Sequence, residues 1–124
     1  MATALDGLRT VIYPSPDLDA AKAWWTAYLG IEPYFDEPFY VGFEIGGFEL
    51  GLDPDVSKVN VGNNAVAYWG VPDIEESFAA LLDRGALERQ PVSAVGGDIK
   101  VASVADPFGN VIGLIQNPHF KVKE

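Results

Sequence analysis

The chain repeats itself once, and that repeat limits its fold more than any other feature. Asp17-Leu18 and Asp73-Ile74 each open a helical pattern, and Gly30 and Gly85 each close one. Asp is a good N-cap because its short carboxylate accepts from the free N–H groups of the first turn, and Gly tolerates the left-handed stop. Leu18, Ala21, Trp25, Tyr28 and Leu29 follow the first cap at helical spacing, and Ile74, Phe78, Leu81 and Leu82 follow the second. Asp73 with Glu76 forms an Asp-x-x-Glu capping box. The spacings predict helices over Asp17–Leu29 and Asp73–Arg84. Each helix is preceded by one apolar strand and followed by three, so each half reads strand, helix, strand, strand, strand. Tyr13 and Tyr68 are placed as counterparts. Two copies are too few for a solenoid.

The strands before and after the first helix are Leu8 to Tyr13 and Ile31 to Phe35, the latter broken by Pro33 and so expected at an edge. Val41 to Ile45 and Phe48 to Leu52 flank Gly46-Gly47, a two-residue hairpin turn. That loop length sets the register: Ile45 faces Phe48, Phe43 faces Leu50 and Val41 faces Leu52. Glu44 and Glu49 then share the opposite side with Gly42 and Gly51. The apolar side belongs to the core. In the second half, the expected strands are Ala65 to Val71, Leu87 to Val92, Ile99 to Val104 and Val111 to Ile115. Asp106-Pro107-Phe108-Gly109 joins the last two as a turn, with Asp as acceptor, Pro fixing φ and Gly free to take φ > 0. Asp53 to Asn64 is the boundary between halves, giving one domain over 1–124, with modules at about 5–53 and 64–116 and a polar tail over 117–124.

Composition narrows the function. Eighteen acidic residues against eight basic ones give a net charge of −10, which argues against nucleic acid and suits a cationic ligand. There is no cysteine, hence no disulfide, thiolate nucleophile or thiolate metal site. His119 is the sole histidine, lies beside the tail, and has no evident partner for a Ser-His-Asp arrangement. No apolar run is long enough to span a bilayer and no signal peptide is visible, so the expected location is cytoplasmic.

The Asp-Pro-x-Gly-Asn turn followed by an apolar strand, the paired βαβββ pattern, and the aromatic pair Trp24-Trp25 in the first helix together resemble the vicinal oxygen chelate superfamily. It includes glyoxalase I, extradiol dioxygenases and bleomycin-resistance proteins. The resemblance covers almost the whole chain. It implies an α+β fold: two tandem modules forming a curved mixed sheet around a cavity, with helices on the convex face. Superfamily metal sites use four positions, which fall here on Thr10, Glu49, Val66 and Gly113. Of these only Glu49, within Phe48-Glu49-Leu50, keeps a strong ligand type. A zinc ion wants three protein ligands, so metal-dependent chemistry is not expected to be inherited, and no cofactor is expected.

Alternation from Val66 brings Tyr68 and Gly70 onto the cavity face, and alternation from Gly113 adds Val111 and Ile115. If Ala105 pairs with Asn110, Gly113 faces Ala102, Ile115 faces Lys100, and Lys100 enters the cavity. The candidate ligand-binding set is therefore Thr10, Glu44, Glu49, Val66, Tyr68, Lys100 and Gly113, with no metal ligand. The expected function is binding of an unidentified cationic or aromatic small molecule, by a homodimer that engages neither nucleic acid nor membrane. The alternative is a glyoxalase-type lyase or isomerase with Glu49 as general base, its pKa raised by Glu44, and an atypical metal site.

Overall fold

A computed structural model describes residues 8–57 and 66–119. The expected module starts at residues 5 and 64, most of the connection up to Asn64, the strand start at Ala65, and the tail beyond His119 lie outside the described residues. The order of elements is β1 (Thr10–Pro14), α1 (Leu18–Leu29), β2 (Phe35–Glu37), β3 (Tyr40–Ile45) and β4 (Phe48–Asp53), then β5 (Tyr68–Gly70), α2 (Ile74–Asp83), β6 (Leu87–Gly96), β7 (Ile99–Ala105) and β8 (Val111–Gln116). These are the two tandem βαβββ modules of an α+β fold. Each builds a four-stranded mixed sheet, ordered β1-β4-β3-β2 in the first and β5-β8-β7-β6 in the second. No helix among the described residues is long and apolar enough to cross a membrane.

In the first module the Asp17 side chain accepts from Ala20 N at 3.2 Å, and Gly30 ends α1 at φ 73°. The β3–β4 register is the one expected, including Glu44 opposite Glu49, and Gly46 and Gly47 both take positive φ, as the hairpin requires. One face of the sheet, with Tyr13, Val41, Phe43, Leu50 and Leu52, buries against Ala21 and Trp25 of α1. Pairing in β2 begins later than expected. Pro33 offers no N–H, so Tyr34 N makes the first bond to Gly42 O and the strand proper starts at Phe35.

In the second module the Asp73 side chain caps α2 through Glu76 N at 3.2 Å. Ile74, Leu81, Ala86, Ala102, Val104, Ile112 and Leu114 form its core. Leu82, expected in the buried stripe, is instead 36% exposed, because it lies on the flank of the line through Ile74, Phe78 and Leu81. β6 runs on to Gly96 as a bulged edge strand that tolerates Pro91.

The β7–β8 hairpin differs from expectation by one residue. Asp106 N donates to Asn110 O, Gly109 N donates to Asp106 O, and Gly109 takes φ 89°, so Ala105 faces Val111 rather than Asn110. The loop is three residues long, with glycine at its left-handed position. The Asp106 carboxylate stabilises this loop by accepting from Phe108 N at 2.9 Å and Asn110 N at 2.8 Å. A slip of one residue sends every side chain of the partner strand to the other face. Gly113 therefore faces Ser103, not Ala102, and Lys100 faces Gln116, not Ile115.

Candidate functional site: a tyrosine-held carboxylate

On the first module's sheet, the face away from α1 is organised by Glu49. Thr10 lies directly opposite it on β1 and Glu44 directly opposite on β3. Thr10 Oγ1 donates to Glu49 Oε1 at 3.1 Å, and the Tyr40 hydroxyl donates to the same oxygen at 3.1 Å. The Tyr34 hydroxyl donates to Oε2 through a short bond. The two glycines make this possible. A Cβ at Gly42 would lie 2.8 Å from Glu49 Oε2 and 3.2 Å from Tyr34 Cε1, and a Cβ at Gly51 would lie 2.6 Å from Tyr40 Cζ. Any side chain at either position would occupy the space now holding the carboxylate and its tyrosines.

The electrostatics follow from these bonds. Tyr34's hydrogen bond is the main reason that the Glu49 carboxyl is held below its ordinary range; burial opposes it, and the bonds from Tyr40 and Thr10 add to the lowering. Burial first, then the bond to Glu49, pushes Tyr40 up to about 12, so it remains a neutral donor. The Tyr34 phenol is likewise raised, chiefly by its bond to Glu49. A raised general base is thus not what is present, and Glu44 is not among the groups that move Glu49. Glu44 is exposed and accepts from Gly47 N at 3.1 Å, which commits it to the hairpin turn.

In the second module, Tyr68 and Gly113 are neighbours on β5 and β8. The Tyr68 ring lies over Gly113, where a Cβ would come within 2.7 Å of its Cδ1. Val66 precedes β5 and is half-buried. The same backbone bond ties each module's first and last strands: Glu49 N to Arg9 O, and Gly113 N to Ala67 O. By that bond Tyr68 is the counterpart of Thr10. It is not the counterpart of Tyr13, which is buried on the α1 face, whereas Tyr68 is 46% exposed on the face away from α2. Lys100 is a correction to the expected set. Its ammonium pairs with Glu75 of α2 at 2.8 Å, so it stands on the helix side of the sheet.

Five site residues were missed by sequence reasoning. Tyr40 was legible, since alternation puts it on the face of Gly42 and Glu44. Tyr34 follows Pro33 in an irregular stretch and carried no periodic signal. Ser103 was missed through the slipped register, and with it the contacts from Arg89 at 3.1 Å and to Gln90 at 3.3 Å.

The side chains present make a poor donor set for the superfamily's metal. Glu49 is the only carboxylate among Thr10, Glu49, Val66 and Gly113, and both its oxygens are engaged by hydroxyls. The side-chain space at Gly113 is filled by the Tyr68 ring. Among the described residues no three His, Cys, Asp or Glu side chains gather as a metal site would need. The donor set does not fit a transition metal held in the superfamily's way.

Two βαβββ modules with a carboxylate on the sheet face of the first define a glyoxalase-like α+β protein. The chain belongs to the Glyoxalase/Bleomycin resistance protein/Dioxygenase superfamily, whose family model matches residues 7–114. Solved structures agree in fold. A glyoxalase-related enzyme from Fulvimarina pelagi superposes with TM-score 0.76 at 20% identity, over 96% of this chain and 94% of that one. Lactoylglutathione lyase from Agrobacterium tumefaciens gives 0.72 at 17% identity, over 96% and 99%. A bleomycin resistance determinant encoded on the transposon Tn5 gives 0.69 at 20% identity, over 90% and 98%. No curated protein matches the chain in sequence.

Proposed function

We propose that this protein binds and sequesters a cationic small molecule with an aromatic or apolar body, without a tightly bound transition metal, and that it acts as a homodimer. The observation that carries the reading is the Glu49 carboxylate, kept ionised by Tyr34, Tyr40 and Thr10. A carboxylate has about four acceptor positions, and three hydroxyls leave roughly one for a ligand. The negative charge is fixed in place and one lone pair is open. Aromatic rings lead away from it: Tyr34 is 63% exposed, the Phe35 ring meets Tyr40 edge-on with centroids 6.1 Å apart, and Phe39 meets Phe35 with centroids 6.0 Å apart. Aromatic faces beside an anion suit an organic cation. The net charge of −10 would concentrate such cations near the protein. The fold is shared with a bleomycin resistance determinant and with lactoylglutathione lyase alike, so the preference for sequestration rests on the Glu49 site. A lyase or isomerase using Glu49 as base would want a raised carboxyl, the opposite of what its hydroxyl partners produce.

The test is calorimetric titration with a panel of aromatic amines and quaternary ammonium compounds against wild-type and Glu49→Gln protein. Binding in the wild type should weaken by roughly 1–3 kcal/mol in the variant, the scale of a hydrogen bond to a charged group. Equal affinities in the two proteins would refute the assignment. So would stoichiometric zinc, nickel or iron in purified protein.

A further inference from the structure

The corrected β7–β8 register exposes a second polar group, on the second module and independent of Glu49. Tyr68, Gly113, Ser103 and Gln90 lie in one row across β5, β8, β7 and β6, on the face away from α2. Ser103 is fully buried. Its hydroxyl accepts from Arg89 Nη1 at 3.1 Å and donates to Gln90 Oε1 at 3.3 Å. The bulge between Glu88 and Gln90 is what lets Arg89 lean over the row.

We infer that Arg89, Gln90 and Ser103 form a carboxylate-binding subsite, with the Tyr68 ring over Gly113 as its apolar wall. The hydrogen-bonding inventory points to an anion. Ser103's proton is spent on Gln90 Oε1, so the group's free donors are the Gln90 amide N–H₂ and the remaining guanidinium N–H groups, and these outnumber the one lone pair left on each of Ser103 Oγ and Gln90 Oε1. Among the described residues Arg89 meets no carboxylate, whereas Lys22 pairs with Asp36 and Lys100 with Glu75. In a chain of net charge −10 this guanidinium is held by a buried hydroxyl. The planar fork matches a carboxylate with two parallel bonds. Phosphate fits less well, because one guanidinium faces a near-dianion and the protein's overall field repels it more strongly. The edge of the Tyr68 ring lies over Gly113, the β8 neighbour of Ser103, and adjacent strands are about 4.8 Å apart, so the ring can flank the body of an aryl carboxylate.

The probe is benzoate, with benzamide as its uncharged isostere and inorganic phosphate as the competing anion. Each is titrated into ¹⁵N-labelled protein while the backbone amide signals are followed. Benzoate should shift Tyr68, Gln90, Ser103 and Gly113, benzamide should not, and phosphate should bind more weakly. Arg89→Gln should lose about tenfold in benzoate affinity, the scale of one charge-assisted contact, with its urea midpoint unchanged. Arg89→Lys should recover only part of the loss, since it keeps the charge but not the fork. Absent benzoate shifts, equal shifts with benzamide, tighter binding of phosphate, or undiminished affinity in Arg89→Gln would each overturn the assignment. A lower urea midpoint in Arg89→Gln with benzoate affinity intact would make Arg89 a structural brace, and would also overturn it.

Discussion

Substituting Gly51 by alanine should damage the Glu49 site through packing alone. Gly51 has ordinary strand dihedrals, so alanine brings no backbone strain. By itself, Gly→Ala in a strand is worth roughly 0.5–1 kcal/mol in favour of alanine. Sterics oppose this. The new Cβ would stand 2.6 Å from Tyr40 Cζ and closer still to its oxygen, and the ring is half-buried with limited room to retreat. Overpacking of this kind costs about 1–3 kcal/mol, so the net loss should reach up to roughly 2.5 kcal/mol. If the ring swings away instead, Glu49 loses one of its three hydroxyl donors. Urea unfolding followed by tryptophan fluorescence measures the change, and a double-mutant cycle with Tyr40→Ala isolates its cause. In the Tyr40→Ala background the alanine at 51 should become neutral or stabilising, giving a coupling energy on the order of 1–3 kcal/mol. An equal penalty in both backgrounds would refute the claim that the Tyr40 ring occupies the space Gly51 leaves.

Other consequences are as direct. The Glu49 carboxyl is depressed on folding, so its stabilisation is present above the unfolded value near 4.5 and is lost as pH falls through the lower folded value. The stability gap between wild type and Glu49→Gln should thus be flat from pH 7 to pH 5 and shrink below that; a gap that widens on acidification would contradict it. Asp106→Ala should cost about 2–4 kcal/mol in urea unfolding, because two backbone N–H groups in the turn lose their acceptor. Asp106→Asn should cost under ~1 kcal/mol, since the amide oxygen still accepts and burial already penalises the charge. Lys100→Ala should leave ligand binding unchanged, as expected of a residue paired with Glu75 on the helix side. Light scattering should report a homodimer at micromolar concentration.

The sequence alone determined those features that rest on local chemistry. Asp17 and Asp73 start the helices because a short carboxylate caps free N–H groups, and Gly30 and Gly46-Gly47 mark positions where only positive φ will do. The Gly-Gly turn also determined the β3–β4 register, and so placed Glu44 and Glu49 on one face, because a two-residue loop admits a single pairing. The Asp106 loop left its register open. A turn of that composition can close at 105 or at 106, and the difference lies in backbone bonds made only once the strands pair. That single step moved Lys100 to the helix side and brought Ser103 beside Gly113. Tyr34 reaches Glu49 across fifteen residues of chain, from a segment with no period of its own. Periodicity reports which face a residue takes. The hydroxyls that gather on a carboxylate, and the ring that fills the space over a glycine, were decided by tertiary packing.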